Sequence, residues 1–152
     1  MDVDFLVPVD KEYTRLIDFL SKAGYEQVTG HGWQRKGEDI RYDLFQGKKV
    51  FVTELERSPL EPGGHKLIKE FNKIYLGTLN PFDLLITKMA RGARVDFEDC
   101  LILLRNEKLD LGRLKERFQE AVKYAINFGI NEDQAVKNFD HLMRLNKTDK
   151  SD

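Results

Sequence analysis

Cysteine is nearly absent from this chain. Cys100 is the single one among 152 residues. No disulfide can close within the chain, and a reducing compartment, the cytoplasm, is the expected setting. Long apolar runs are also missing. None approaches the roughly 20 residues that cross a bilayer, and the acidic N-terminus lacks the basic segment of a signal peptide. No membrane partner is expected. Charge of one sign is not in excess: the net charge is -1, so no global field draws the protein to nucleic acid or to an anionic membrane. A local basic patch stays open. No internal repeat and no linker divide the sequence.

What is present suits one domain with a real core. Hydrophobic residues make up 41% and charged residues 34%, a globular balance rich in charge. Alternation and a stopping proline at Pro8 mark Asp2 to Val7 as a strand. Asp10 reads as a helix N-cap, and Tyr13, Leu16, Ile17 and Leu20 recur at helical spacing as far as Gly24. Tyr25 to Val28 is a short strand candidate, followed by a turn at Gly30-His31-Gly32. No helix start follows those glycines, which excludes a phosphate loop there. His31 and Trp33 read as a loop residue and a half-buried aromatic, with contact to a nucleotide base as the alternative.

Ile40 to Phe45 and Lys49 to Leu55 read as a hairpin around Gln46-Gly47-Lys48. Ser58 to Gly64, with two prolines and two glycines, is a loop. His65 to Lys73 fits a short helix or an irregular segment, and Ile74 to Leu79 fits a strand. Asn80-Pro81 is a helix start, with Phe82, Leu85, Ile86 and Met89 as the apolar stripe and Gly92 as the stop. Asp96 reads as the N-cap of the next helix, whose stripe is Phe97, Cys100, Leu101 and Leu104. Cys100 on that stripe is a small core hydrophobe. Asp110 and Asn131 cap two further helices, and Gln134 occupies a capping-box position. His141 is a lone histidine, expected to be partly exposed and without a role. The fold class is α+β: a mixed sheet of about four or five strands with helices, then a helical C-terminal half.

The candidate chemistry sits on the strands. Asp2 and Asp4 share a face of the first strand, with Cα atoms about 6.5–7 Å apart. If the Ile40–Phe45 strand lies beside it, Asp43 completes a three-carboxylate cluster. Hard oxygen donors of this kind suit Mg2+ or Mn2+. Glu54 and Glu56 are rival ligands, ranked below Asp43 as strand-end charges.

The Asp-Val-Asp-Phe strand, the Ile-Arg-Tyr-Asp-Leu-Phe strand, and the segment from Asn80-Pro81-Phe82-Asp83 through Lys88 to Arg94-Val95-Asp96-Phe97-Glu98-Asp99 together resemble the nucleotidyltransferase superfamily, the polymerase-beta-like fold. The resemblance covers residues 1 to about 104. It is nearest to small prokaryotic AbiEii-like toxins and minimal nucleotidyltransferases. It implies a nucleotidyltransferase-like domain over 1–106, a helical extension of the same unit over 107–146, and a disordered tail over 147–152. It further implies Mg2+-dependent transfer of a nucleotide from a nucleoside triphosphate to a hydroxyl of RNA or protein, in a toxin–antitoxin setting. Asp2, Asp4 and Asp43 would be metal ligands and catalytic residues. Lys88 would meet a phosphate oxygen of the nucleotide, or be a solvated helix lysine. A partner protein would dock on the C-terminal helices. The alternative is a degenerate nucleotide-binding or protein-interaction module. The family carries a Gly-Ser element upstream of its Asp-x-Asp strand. None precedes Asp2 here, so the expectation is weak metal binding and slow or no transfer.

Overall fold

A computed structural model describes residues 2–51, 53–55, 57–72, 75–125 and 131–148, with backbone alone at Asp2, Tyr75, Tyr124, Ala125 and Thr148. The order is β1 (Asp2–Val7), α1 (Asp10–Lys22), β2 (Tyr25–Gln27), β3 (Gly32–Arg35), β4 (Arg41–Gln46), β5 (Lys49–Val50), β6 (Thr53–Glu54), β7 (His65–Glu70), β8 (Tyr75–Leu79), α2 (Pro81–Arg91), α3 (Arg94–Glu107), α4 (Leu111–Ala125) and α5 (Glu132–Thr148). The chain is therefore α+β, with strands in its first half and helices in its second. It divides into two compact units, 1–51 and 52–152.

The first unit is a four-stranded mixed sheet in the order β1-β4-β3-β2. β1 runs parallel to β4, and β3 is antiparallel to both β4 and β2. This corrects the expected hairpin. β4 has β1 on one edge and β3 on the other, so no ladder position is left for Lys49 to Leu55. That segment instead forms two two-residue strands, separated at Phe51, whose φ is 52°. Helix α1 buries Tyr13, Leu16, Ile17 and Leu20 by half, as their spacing requires, while Phe19 stays exposed. Asp10 is its first residue and not its cap. Val9 holds the cap position, and the Asp10 carboxylate accepts from Gln46 Nε2 on β4. One sheet face carries Phe5, Tyr42 and Tyr25, whose rings pack edge to face or tilted at 5.8–6.1 Å. Gln46 reaches α1 from this face.

The second unit opens with the β7–β8 hairpin. His65 to Glu70 is thus a strand, where the sequence left helix or irregular structure open. Helices α2 to α5 share one core of Leu85, Ile86, Met89, Cys100, Leu104, Leu114, Phe118, Val122, Ala135, Phe139 and Leu142. Residue 106, the expected end of the first domain, lies inside this unit. Asn80 caps α2 by accepting from the Asp83 N–H, with Pro81 at the first turn. Asp110 and Asn131 cap α4 and α5 through the N–H groups of Arg113 and Gln134. The Gln134 side chain does not reach back to the cap. It donates to Asn138 Oδ1. α5 extends to Thr148, so the first two residues of the expected tail are helical. Residues 149–152, and the predicted α4 stop at Gly129, lie outside the described residues. No described helix is long and apolar enough to cross a membrane.

Candidate functional site

Parallel pairing decides the geometry of the acids. β1 and β4 are in register with Asp2 opposite Arg41 and Asp4 opposite Asp43. Register partners on neighbouring strands project to one sheet face, and alternation adds residues two positions away. Asp4, Arg41, Asp43 and Phe45 therefore lie on one face, opposite the Phe5–Tyr42 cluster. Asp2 belongs to that face by its backbone position, and its side chain lies outside the described ones. Asp4 is exposed and Asp43 is buried.

The Asp43 carboxylate is held by Arg41. Arg41 Nε donates to Oδ1 at 3.1 Å, and Nη2 donates to Oδ2 at 3.2 Å. Next to this pair β3 offers Gly32, the register partner of Asp43. A Cβ on residue 32 would sit 2.5 Å from Thr29 Oγ1, 2.9 Å from Arg41 Cδ and 2.9 Å from Asp43 Oδ1. The missing side chain leaves the space that the Asp43 carboxylate, the Arg41 stem and the Thr29 hydroxyl occupy. Thr29 Oγ1 accepts from the Gly32 N–H at 2.8 Å and fixes the strand entry. The sequence reading placed Gly32 in a turn and gave Thr29 and Arg41 no role. The signal for Arg41 was there, since a residue two before an acid in a strand shares its face.

The remaining candidates separate. The exposed His31 ring lies 4.9 Å from Phe45, at the acid face. Trp33 is buried and is the register partner of Tyr42, so it faces away from Asp43. Glu54 lies half-buried in the second unit, and Glu56 lies outside the described residues. Lys88, also in the second unit, donates to Asp99 Oδ2 at 2.7 Å and lies 3.7 Å from Asp96 Oδ1. Asp96 is fully buried and is not the N-cap expected of it. It stands one turn in. Its Oδ2 accepts from the Ala93 N–H, and Arg91 grips both of its oxygens at 2.6 and 2.9 Å. Burial pushes this carboxyl up, but the Arg91 hydrogen bonds, the Ala93 N–H and the charges of Arg91 and Lys88 outweigh it and leave it below the ordinary range. Among the described residues, no group of three or more His, Cys, Asp or Glu is placed to hold a metal ion. The described acids that face each other in register are two, Asp4 and Asp43.

No protein-family model, no curated protein and no solved structure matches the chain.

Proposed function

We propose that this chain is a nucleotidyltransferase-type domain of the cytoplasm. It would move a nucleotide from a nucleoside triphosphate to a hydroxyl on RNA or protein, in a toxin–antitoxin setting, with Mg2+ or Mn2+ as cofactor. The observation that supports it most is the in-register pairing of Asp4 with Asp43 on parallel strands.

The residues fit a hard divalent cation on two counts. The donors are carboxylate oxygens. The Arg41 guanidinium already stands in for a cation there. Asp4 and Asp43 would hold the metal, with Asp2 as the expected third ligand. When bound, it would lower the pKa of the attacking hydroxyl and offset charge on the triphosphate. The chain's own residues would position the reactants. Asp43, set against Gly32 and held by Arg41, has a fixed direction, and fixed direction is what orientation of a nucleophile needs. His31 beside Phe45 offers an exposed ring to a base on the same face. Lys88 receives no phosphate role, because Asp99 and Asp96 satisfy its charge. Exposed Leu111 and Val136 on α4 and α5 support the partner-docking role of those helices.

The second reading is a nucleotide-binding or protein-interaction module without turnover. It is favoured by the Arg41 pair, which neutralises Asp43. Transfer of α-labelled nucleotides to RNA and protein acceptors, with Mg2+ or Mn2+, separates the two. Label incorporation that is lost in Asp4→Asn supports the transferase. Nucleotide binding without incorporation leaves the binding module, and incorporation unchanged in Asp4→Asn would place the chemistry elsewhere.

A further inference from the structure

We propose that helix α1 is a detachable strap over the first unit's sheet: it lifts away while the four strands stay paired, and it uncovers an aromatic surface. The inference stands apart from the transferase reading and does not need it.

The topology makes α1 a strap. It follows β1 and leads into β2, the two outer strands of the order β1-β4-β3-β2. It therefore connects one edge of the sheet to the other. At its start Val9 supplies no side-chain cap, so the first turn is held weakly. At its end Gly24 stands at φ 83°, where the backbone can turn freely.

Three observations carry the inference. The first is burial. α2 buries Leu85, Ile86 and Met89, and α5 buries Ala135, Phe139 and Leu142. α1 buries none of its residues. Its stripe is only half-buried, and Phe19 is 66% exposed. Docking strength follows the apolar area removed from water, so α1 is docked more weakly than these helices.

The second is the polar ties. Among the described residues, the one side-chain hydrogen bond that joins α1 to anything outside it runs from Gln46 Nε2 to Asp10 Oδ1, at 3.1 Å. The ion pairs of Glu12 with Arg15 and of Asp18 with Lys22 lie within the helix. Pairs at this spacing support a helix by itself, so lifting breaks neither. A helix of 13 residues is still marginal alone in water, so a lifted α1 frays and its amides exchange.

The third is what lies on the covered face. Trp33 is the register partner of Tyr42 and shares its face with Phe5 and Tyr25. Gln46 reaches α1 from that face. Trp33 is 7% exposed, and its Nε1–H has no acceptor among the described residues. A buried donor without a partner raises the free energy of the closed arrangement. Water satisfies it once the strap lifts.

The test is hydrogen exchange of the isotope-labelled full chain, followed by NMR. Three signals are compared: the α1 amides from Thr14 to Phe19, the indole N–H of Trp33, and the Leu44 amide, which donates to the His31 carbonyl. The α1 amides and the Trp33 indole should both be at least about tenfold less protected than Leu44. Gln46→Ala and Asp10→Ala each remove the latch from one side, and circular dichroism checks that both fold. Each should lower the α1 and Trp33 protection by about fivefold, as the loss of one ordinary hydrogen bond does, and leave Leu44 unchanged. Protection of α1 equal to that of Leu44 would mean that helix and sheet open together, and would overturn the strap. Weak α1 protection with Trp33 held at the level of Leu44 would be fraying without lifting, and would overturn it too. So would folded latch variants that leave α1 unchanged or lower Leu44 as far as α1.

Discussion

The side-chain amide of Asn138 on α5 donates to the Met89 carbonyl at 2.9 Å and lies directly over Gly92. Gly92 ends α2 with φ at 67°. A Cβ there would come within 2.0 Å of Asn138 Nδ2. One glycine therefore serves two needs: a left-handed backbone and room for a buried amide from another helix.

Gly92→Ala should be costly on both counts. The left-handed conformation adds about 1–2 kcal/mol. Displacing Asn138 leaves buried polar groups unsatisfied, at about 1–3 kcal/mol. Urea unfolding should show a loss of about 2–5 kcal/mol in all. Asn138→Ala removes the same hydrogen bond, so the double variant should lose less than the sum of the singles. Full additivity would show that the two residues are not coupled.

The Asp96–Arg91 pair sets an acid limit on the helical unit. Asp96 has its folded pKa below its unfolded value. Its contribution is therefore complete above the unfolded value, near 3.9, and is lost as pH falls through the folded one. Asp96→Asn should be less stable than wild type at pH 7, and the gap should shrink below about pH 4. Removing the other partner leaves the buried carboxylate with only the Ala93 N–H and Lys88 at 3.7 Å, so Arg91→Ala should cost up to about 3–5 kcal/mol at pH 7. Unfolding midpoints across pH 7 to pH 2 check both, and a gap independent of pH would contradict them.

Cys100 should be chemically silent in the folded protein. It is fully buried against Leu85, and burial pushes its thiol up to about 12. Only the thiolate reacts at useful rates. Labelling by an aromatic disulfide reagent should be slow in buffer and rise with the urea unfolding curve. Fast labelling without denaturant would show that α3 opens locally.

Much of the helical unit could be read from local chemistry. Asn80-Pro81, Asp110 and Asn131 each start a helix with groups only three residues apart, and the stripes read for α2 and α3 are buried or half-buried. Errors arose where a partner far along the chain decided. His65-Lys-Leu-Ile-Lys-Glu70 has no clean period, and its strand is defined by pairing with Tyr75–Leu79. The Gln46-Gly47-Lys48 turn suggests a hairpin, yet β1 takes the edge of β4 that a hairpin would need. Asp96 looked like a cap because acids favour helix starts. Its true position follows from Arg91, which grips it from the preceding helix. At the candidate site, the shared face of Asp4 and Asp43 follows once β1 and β4 are neighbours. What sequence left out is the space at Gly32, since nothing local brings residue 32 against residue 43.

The most direct test of the account is to locate a bound cation. Backbone amide signals of the isotope-labelled chain should be recorded by NMR while MnCl2 is added at substoichiometric amounts. Paramagnetic broadening should strike residues around Asp4 on β1 and Asp43 on β4 first, and should vanish there in Asp43→Asn. Broadening centred elsewhere, or spread evenly over the surface acids while the Asp4 and Asp43 signals stay sharp, would contradict the central claim.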